Sequence, residues 1–480
     1  MVNLTEFSDD PVKGFRLLPE WPLVRRVAYL GSFVILAMLT QYFVNAADTL
    51  MVGRLDGPEA TASAAALGLG MPLYWAVGGF FAAISYGTQA MTGRRFAEGD
   101  EHRAGRVLFN AVFVSVFAGA LGTAIGYWGS PIAMGFLAEA SPEQKALGTT
   151  YVQLRALGIG GMVVTFAFKA FFDGIGRTHV HLIAAVVMNV VNVGLNYLLI
   201  YGSPALGIPA MKVAGAGLAS MLSTYLGLLI MVAVALLPRY NKRFRSFEWG
   251  ALRRNLDPQV IRTIIKLMLP AGSATLILMT GFLLFFKFVG QIDAAAGMGT
   301  NTFSAATKIL MDVAAVCFMP LLAFGTATAT AVAQSLGAGK PNLAARYAWD
   351  SVRVGILAMV PFFLAFMLVP EQIIAAWAPN DPAVAAAGAT SLRLVAVSLP
   401  MLVVSLILSQ SLYGAGANVF VMIVEGALHF GCLVPLSWFL GPYLELGLEG
   451  IWSAALVYVW GLGIAMAVKF LGKGWRSIDL

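Results

Sequence analysis

Midway along the chain stands Arg239-Tyr-Asn-Lys242-Arg243-Phe-Arg245, the most basic part of a segment with eight Lys and Arg between Arg239 and Lys266. Apolar runs flank it on both sides, residues 213–237 before it and 263–290 after it. Each is long enough to cross a hydrocarbon core of about 30 Å. A basic joint between two membrane spans at the midpoint divides the chain into two halves, and the same alternation continues to both ends. Spans are expected at 29–53, 64–92, 106–128, 148–172, 180–202, 213–237, 263–290, 302–333, 352–376, 388–413, 418–441 and 447–471. The expected fold is therefore an all-α membrane protein with twelve transmembrane helices in two six-helix lobes. The lobes cover 29–237 and 263–471, joined by a basic linker at 238–262, with an N-terminal segment 1–28 and a tail 472–480.

Composition supports lipid as the solvent. The chain is 59% hydrophobic and 11% charged, against roughly 45–50% and 25% in soluble domains. Placing both termini in the cytoplasm puts 24 of the 31 Lys and Arg in or beside cytoplasmic segments, the bias that sets topology in a plasma (inner) membrane. The net charge of +7 is thus a topology signal, and no nucleic-acid partner is expected. Glu6, Asp9 and Asp10 precede the first apolar run, unlike a cleaved signal peptide, so span 1 is expected to be retained. Cys317 and Cys432 lie inside apolar runs, which excludes a disulfide framework and a cysteine-rich metal site. No phosphate loop, HExxH or hydrolytic triad is present, so an enzyme is not expected.

A shift of 240 residues lays one half on the other. Ala83, Thr88, Gly99, Ala104, Arg106, Val112 and Val114 meet Ala323, Thr328, Gly339, Ala344, Arg346, Val352 and Val354. Gly174 and Gly176 meet Gly414 and Gly416, and Leu206-Gly207 meets Leu446-Gly447. Six spans is an even number, so the repeats are parallel, and such pairs place a substrate site between the halves near the midplane. Rocking of the two lobes follows as the expected motion.

Ionised groups at membrane depth cost about 2.5–3.5 kcal/mol on insertion scales, so each needs a reason. Gln41, Asn45 and Asp48 share one face of span 1, and Asn189, Asn192 and Asn196 one face of span 5. Asp48 and Asn196 lie at similar depths, so the two stripes can meet. A carboxylate among carboxamides offers oxygen ligands for a small cation such as Na+, or a shielded group that exchanges H+; interhelical hydrogen bonding is the plainer use of the same stripe. In the second half, Lys308 with Asp312 and Glu425 with His429 are spaced i, i+4, as protonatable groups or substrate contacts lining the cavity, or as self-neutralising pairs. Tyr42, Met71, Tyr74 and Trp75 could line an adaptable wall for bulky organic cations, or simply pack.

Asp48-Thr-Leu-Met-Val-Gly53, Asn192-Val-Gly-Leu-Asn196-Tyr-Leu-Leu-Ile200-Tyr-Gly202 and Gln334-Ser-Leu-Gly-Ala-Gly339 follow one another along the chain, with Gly174-Ile-Gly-Arg-Thr178 and Ala214-Gly-Ala-Gly-Leu-Ala219 between them. In this order and spacing the chain resembles the multidrug and toxic compound extrusion (MATE) family from about residue 25 to 470. The resemblance implies a V-shaped pair of six-helix lobes, without a cofactor. It also implies export of amphipathic or cationic compounds in exchange for H+ or Na+. Asp48, Asn192 and Asn196 match the family's first-lobe cation site. The glutamate that sodium-type members usually carry in span 7 is replaced by the Leu278-Met279 region, and the glutamine that often ends span 2 by Arg94. Small amphipathic substrates and membrane lipids are the expected partners of a monomer. The alternative within the same superfamily is a lipid-linked precursor flippase, for which Lys287 and Lys308 would be the basic cavity residues.

Overall fold

Long runs of Leu, Ala, Val and Met with few β-interrupting breaks satisfy their own backbone hydrogen bonds as helices, the one open structure that lipid permits. The computed structural model describes residues 7–11, 18–55, 59–137, 142–247, 252–296, 302–379 and 381–480. In the first half these form α1 (Trp21–Gly53), α2 (Glu59–Ala82), α3 (Ile84–Ala97), α4 (Glu101–Leu137), α5 (Pro142–Leu157), α6 (Ile159–Gly174), α7 (His179–Tyr201) and α8 (Lys212–Leu236). Short α9 (Pro238–Phe244) and α10 (Leu252–Asn255) lead into α11 (Pro258–Ala295). The second half continues with α12 (Thr302–Gly337), α13 (Pro341–Leu368), α14 (Pro370–Trp377), α15 (Pro382–Ala415), α16 (Asn418–Leu428), α17 (Val434–Trp438) and α18 (Gly447–Leu471). Among the described residues no strand forms, and eleven helices are long and apolar enough to cross a membrane; α5 and α6, bent by 44° at their break, make the twelfth span.

Several spans differ from a plain apolar-run reading. Residues 148–172 are not one helix: the chain breaks at Gly158, whose amide bonds back to Arg155 at 2.9 Å. Glycines at 158, 160 and 161 lower the cost of leaving helical geometry there. Residues 352–376 divide because Pro370 starts a new helix. Span 11 is interrupted by π-helical turns at His429–Leu433 and Phe439–Tyr443. Lys169 is buried in α6 and pairs with Asp173 at 2.7 Å.

Contacts group the chain into two units: Ser32–Leu276, and the described residues up to Gly31 together with Ile277–Asp479. In the first, α7 packs along α8, α4 along α5 and α6, α3 along α6, and α2 along α5. Phe168, Phe171, Phe172, Tyr240 and Phe244 fill one end of its core. In the second, α15 is central, packed on α12, α13, α14 and α18.

The 240-residue repeat is written into the backbone. Gly99, Gly176 and Gly207 adopt φ of +82°, +72° and +65°, and their partners Gly339, Gly416 and Gly447 adopt +69°, +87° and +61°. Left-handed turns recur at the same three points of each half, where a side chain would be strained. Close approaches recur as well. A Cβ on Gly174 would lie 3.1 Å from the Gln89 carbonyl oxygen, and one on Gly414 would lie 2.5 Å from that of Ala329, 240 residues after Gln89.

Candidate functional site

Asp48 ends up fully buried five residues before the end of α1. At the same level α7 brings its Asn stripe inward. Asn189, Asn192 and Asn196 are all buried on one face, as a spacing of one and two helical turns requires. The Asn196 amide donates to Asp48 Oδ1, and Asn196 also donates to Asn192 Oδ1 at 3.1 Å. The Ser220 hydroxyl, on α8, donates to Asp48 Oδ2 at 3.4 Å, and Asn192 donates to Ser220 at 3.4 Å. Three helices thus close a ring of four polar side chains, one of them the carboxylate. A turn further along, Asn189 donates to Thr40 Oγ1 of α1 at 2.9 Å. The carbonyl oxygens of Asn189 and Asn196 are buried without a hydrogen-bond partner.

One cation belongs to the same neighbourhood. Arg155, buried near the end of α5, is within electrostatic reach of Asp48 and of the buried Tyr151. Its guanidinium lies 4.5 Å from the Tyr74 ring centroid and 3.8 Å from the Met71 sulfur. Neither Arg155 nor Ser220 belongs to the polar stripes that helical spacing picks out. A hydroxyl in an apolar helix gives no periodic signal, and hydropathy cannot tell which way an arginine near a helix end points.

The remaining candidates are spread more widely. Gln41 is partly buried on α1, and Asn45 is on α1 with its side chain outside the described residues. Tyr42 makes an edge contact with Phe43 at 6.4 Å. Tyr74 is buried, donates to Met162 sulfur at 3.1 Å and meets the partly buried Trp75 edge-on at 6.0 Å. Met71 packs beside Val52, Leu67 and Tyr151. In the second half Lys308 pairs with Asp312 at 3.1 Å, with the lysine side chain 76% exposed, and Lys287 is exposed on α11. Glu425 and His429 do not pair through their side chains: His429 Nδ1 bonds the Glu425 backbone oxygen at 3.2 Å. Among the described residues no group of three or more His, Cys, Asp or Glu could hold a metal ion. Any cation at Asp48 would rely on one carboxylate with neutral oxygens.

This architecture has known relatives. The family model described as MatE matches residues 34–198 and 270–439. Multidrug resistance protein PmpM of Pseudomonas aeruginosa is 25% identical over 480 residues, covering 97% of this chain and 94% of that protein. A probable multidrug resistance protein NorM of Mesorhizobium japonicum is 27% identical, covering 95% of this chain and 94% of its own. In three dimensions the chain is similar to an outward-facing multidrug resistance MATE family transporter of the MOP superfamily, with a TM-score of 0.81 at 20% identity, covering 96% of this chain and 97% of that one. The fold is the same, and nothing in these matches supports a flippase. Multi-pass helices, the MatE match and relatives named as multidrug resistance proteins make this a membrane transport protein and not an enzyme. With the match spanning both halves, the chain belongs to the MatE family of multidrug efflux transporters.

Proposed function

We propose that the protein exports amphipathic or cationic organic compounds across the plasma membrane in exchange for H+ or Na+, with Asp48 as the coupling group. The observation that carries this reading is the burial of Asp48 inside a ring of neutral polar groups from α7 and α8. A buried carboxylate at membrane depth is expensive even with Asn196 and Ser220 donating to it, and binding a cation there relieves the cost. When the ring releases its donors, the same residues present oxygens: the Asn196 amide can turn, and the Ser220 hydroxyl rotates. Arg155 supplies a fixed positive charge nearby that opposes too tight a grip on the bound cation, so release can follow. Since Asp48, Asn196 and Ser220 sit on three different helices, occupancy changes the helix packing of this unit. The drug-like substrates named for the relatives suggest the cargo. The excess of Lys and Arg in those segments supports a cytoplasmic position for both termini and for the basic linker around Arg239–Arg245. The two halves, 29–237 and 263–471, would act as the rocking lobes of a monomer.

The test uses proteoliposomes loaded with a fluorescent cationic dye under an imposed H+ or Na+ gradient. Wild type should extrude dye under one of the two gradients, which names the ion, and Asp48→Asn should fall to the leak rate. Asp48→Asn that still couples efflux to the gradient would remove Asp48 from the mechanism. Wild type that moves no dye under either gradient would overturn the substrate class.

A further inference from the structure

The second half lacks a copy of the Asp48 ring, yet it places titratable groups at the corresponding helix contact. By the 240-residue shift, Asn189 corresponds to His429 and Gln41 to Gly281. In the first half Asn189 reaches α1 through Thr40. In the second, His429 is buried and lies directly against α11, since a Cβ on Gly281 would fall 2.2 Å from His429 Cδ2 and 2.8 Å from Nε2. The helix pair is therefore used at the same register in both halves, and the glycine leaves the room that the imidazole fills.

The surroundings specify the chemistry. His429 opens a π-helical turn, a departure that concentrates at functional positions. Its Nδ1 faces the backbone oxygen of Glu425, so Nδ1 carries the hydrogen and Nε2 is left as the acceptor. The Tyr458 ring of α18 meets the imidazole edge-on at 4.6 Å. Glu425 lies one turn before His429, and Tyr458 is within electrostatic reach of Glu425 and Cys432. The titratable groups facing this spot are thus Glu425, His429, Cys432 and Tyr458. Among the described residues no Lys or Arg acts on Glu425 or His429. At membrane depth an imidazole packed against α11 has a carboxyl one helical turn before it and no basic counter-charge.

We propose that Glu425 and His429 form a second proton-binding site, belonging to the second half and independent of Asp48. The Nε2 lone pair and the Glu425 carboxylate are the two acceptors, and Tyr458 walls the site on the α18 side. Protonation would place a charge on the imidazole against the backbone of α11, at the contact where the first half uses a neutral amide and a hydroxyl.

The test counts protons directly. Purified protein in detergent is stepped from about pH 8 to about pH 5, the window in which an imidazole titrates, with an indicator dye reporting protons bound per molecule. Glu425→Gln and His429→Asn should each bind fewer protons than wild type, by up to one per molecule. Asparagine retains a donor where Nδ1 stands and removes Nε2, so His429→Asn keeps the helix contact while losing the acceptor. Combining Glu425→Gln with Asp48→Asn should lose the sum of the two single deficits, because the sites are separate. Should Glu425→Gln unfold, His429→Asn carries the same comparison. If Glu425→Gln or His429→Asn, whichever stays folded, binds as many protons as wild type, the second site does not exist. A double-variant deficit equal to that of Asp48→Asn alone would equally overturn it.

Discussion

The two halves of this chain share a backbone plan and differ in what they bury at equivalent points. In the first half the end of α1 holds Asp48, met by Asn196, Asn192 and Ser220. In the second, the positions 240 residues later are Phe288, Leu436, Cys432 and Trp460, and the nearby Phe285 packs edge-on to Trp452 at 5.5 Å. Polar chemistry there has moved about two turns along the helix, to His429 and Glu425. Fold duplication thus fixed the helix contacts and left the residues within them free to diverge. One half keeps a carboxylate in an amide ring and the other an imidazole beside a carboxyl.

The sharpest way to break the comparison is to give the first half the residue of the second. Asn196 corresponds to Leu436, so Asn196→Leu removes the amide from Asp48 while keeping the side chain's length. Losing a hydrogen bond to a charged group costs about 1.5–3 kcal/mol. We expect denaturation in mixed micelles to report a loss in that range, and gradient-driven dye efflux to drop to the leak rate. Retained efflux with a stability loss would reduce Asn196 to packing.

Glycine contacts sharpen the comparison next. Gly174→Ala and Gly414→Ala change equivalent positions, and overpacking of this kind costs about 1–3 kcal/mol. Gly414→Ala should cost more. Its new methyl would lie 2.5 Å from a backbone oxygen, whereas in Gly174→Ala the nearest atom is the Thr92 Cβ at 2.9 Å, with the Gln89 carbonyl at 3.1 Å. Thermal stability of the two variants in one detergent decides the order. Equal losses would mean that the two crossings are equally able to relax.

Much of this was legible in the sequence because it depends on period and spacing. The Asn stripe at 189, 192 and 196 and its match in depth with Asp48 followed from 3.6 residues per turn. Gly99, Gly176 and Gly207 meet glycines at the 240-residue shift, and the structure puts all six in the left-handed backbone that glycine allows. The remainder depends on direction and on breaks. Arg155 packs on Tyr74 three residues before the chain breaks at Gly158, and an uninterrupted apolar run shows neither the direction of that side chain nor the break. The sequence spaced Glu425 and His429 as a pair, but the Nδ1 contact goes to the backbone oxygen of Glu425.

The smallest expected effect concerns how each half anchors a helix start. The Asp257 amide, just before α11, donates to Asn110 Oδ1 at 2.9 Å, and the Glu20 amide, just before α1, donates to Asp350 Oδ2 at 3.3 Å. Asn110 and Asp350 are 240 residues apart, so one device is built twice, neutral in the first half and charged in the second. The charged version also pairs with Arg353, whose side chain is 19% exposed. Asp350→Asn converts the second latch to the chemistry of the first: the amide oxygen can still accept from Glu20, and only the ion pair is lost. Asp350 is buried, but Arg353 opens to solvent, so salt screens the pair and its contribution lies near the top of the about 0–1 kcal/mol of exposed pairs. We therefore expect Asp350→Asn to lower stability by no more than about 1 kcal/mol at low salt, with the difference from wild type shrinking as salt is added. A salt-independent loss well beyond that would show that the carboxylate is needed for the Glu20 contact itself, and that the two latches are not interchangeable.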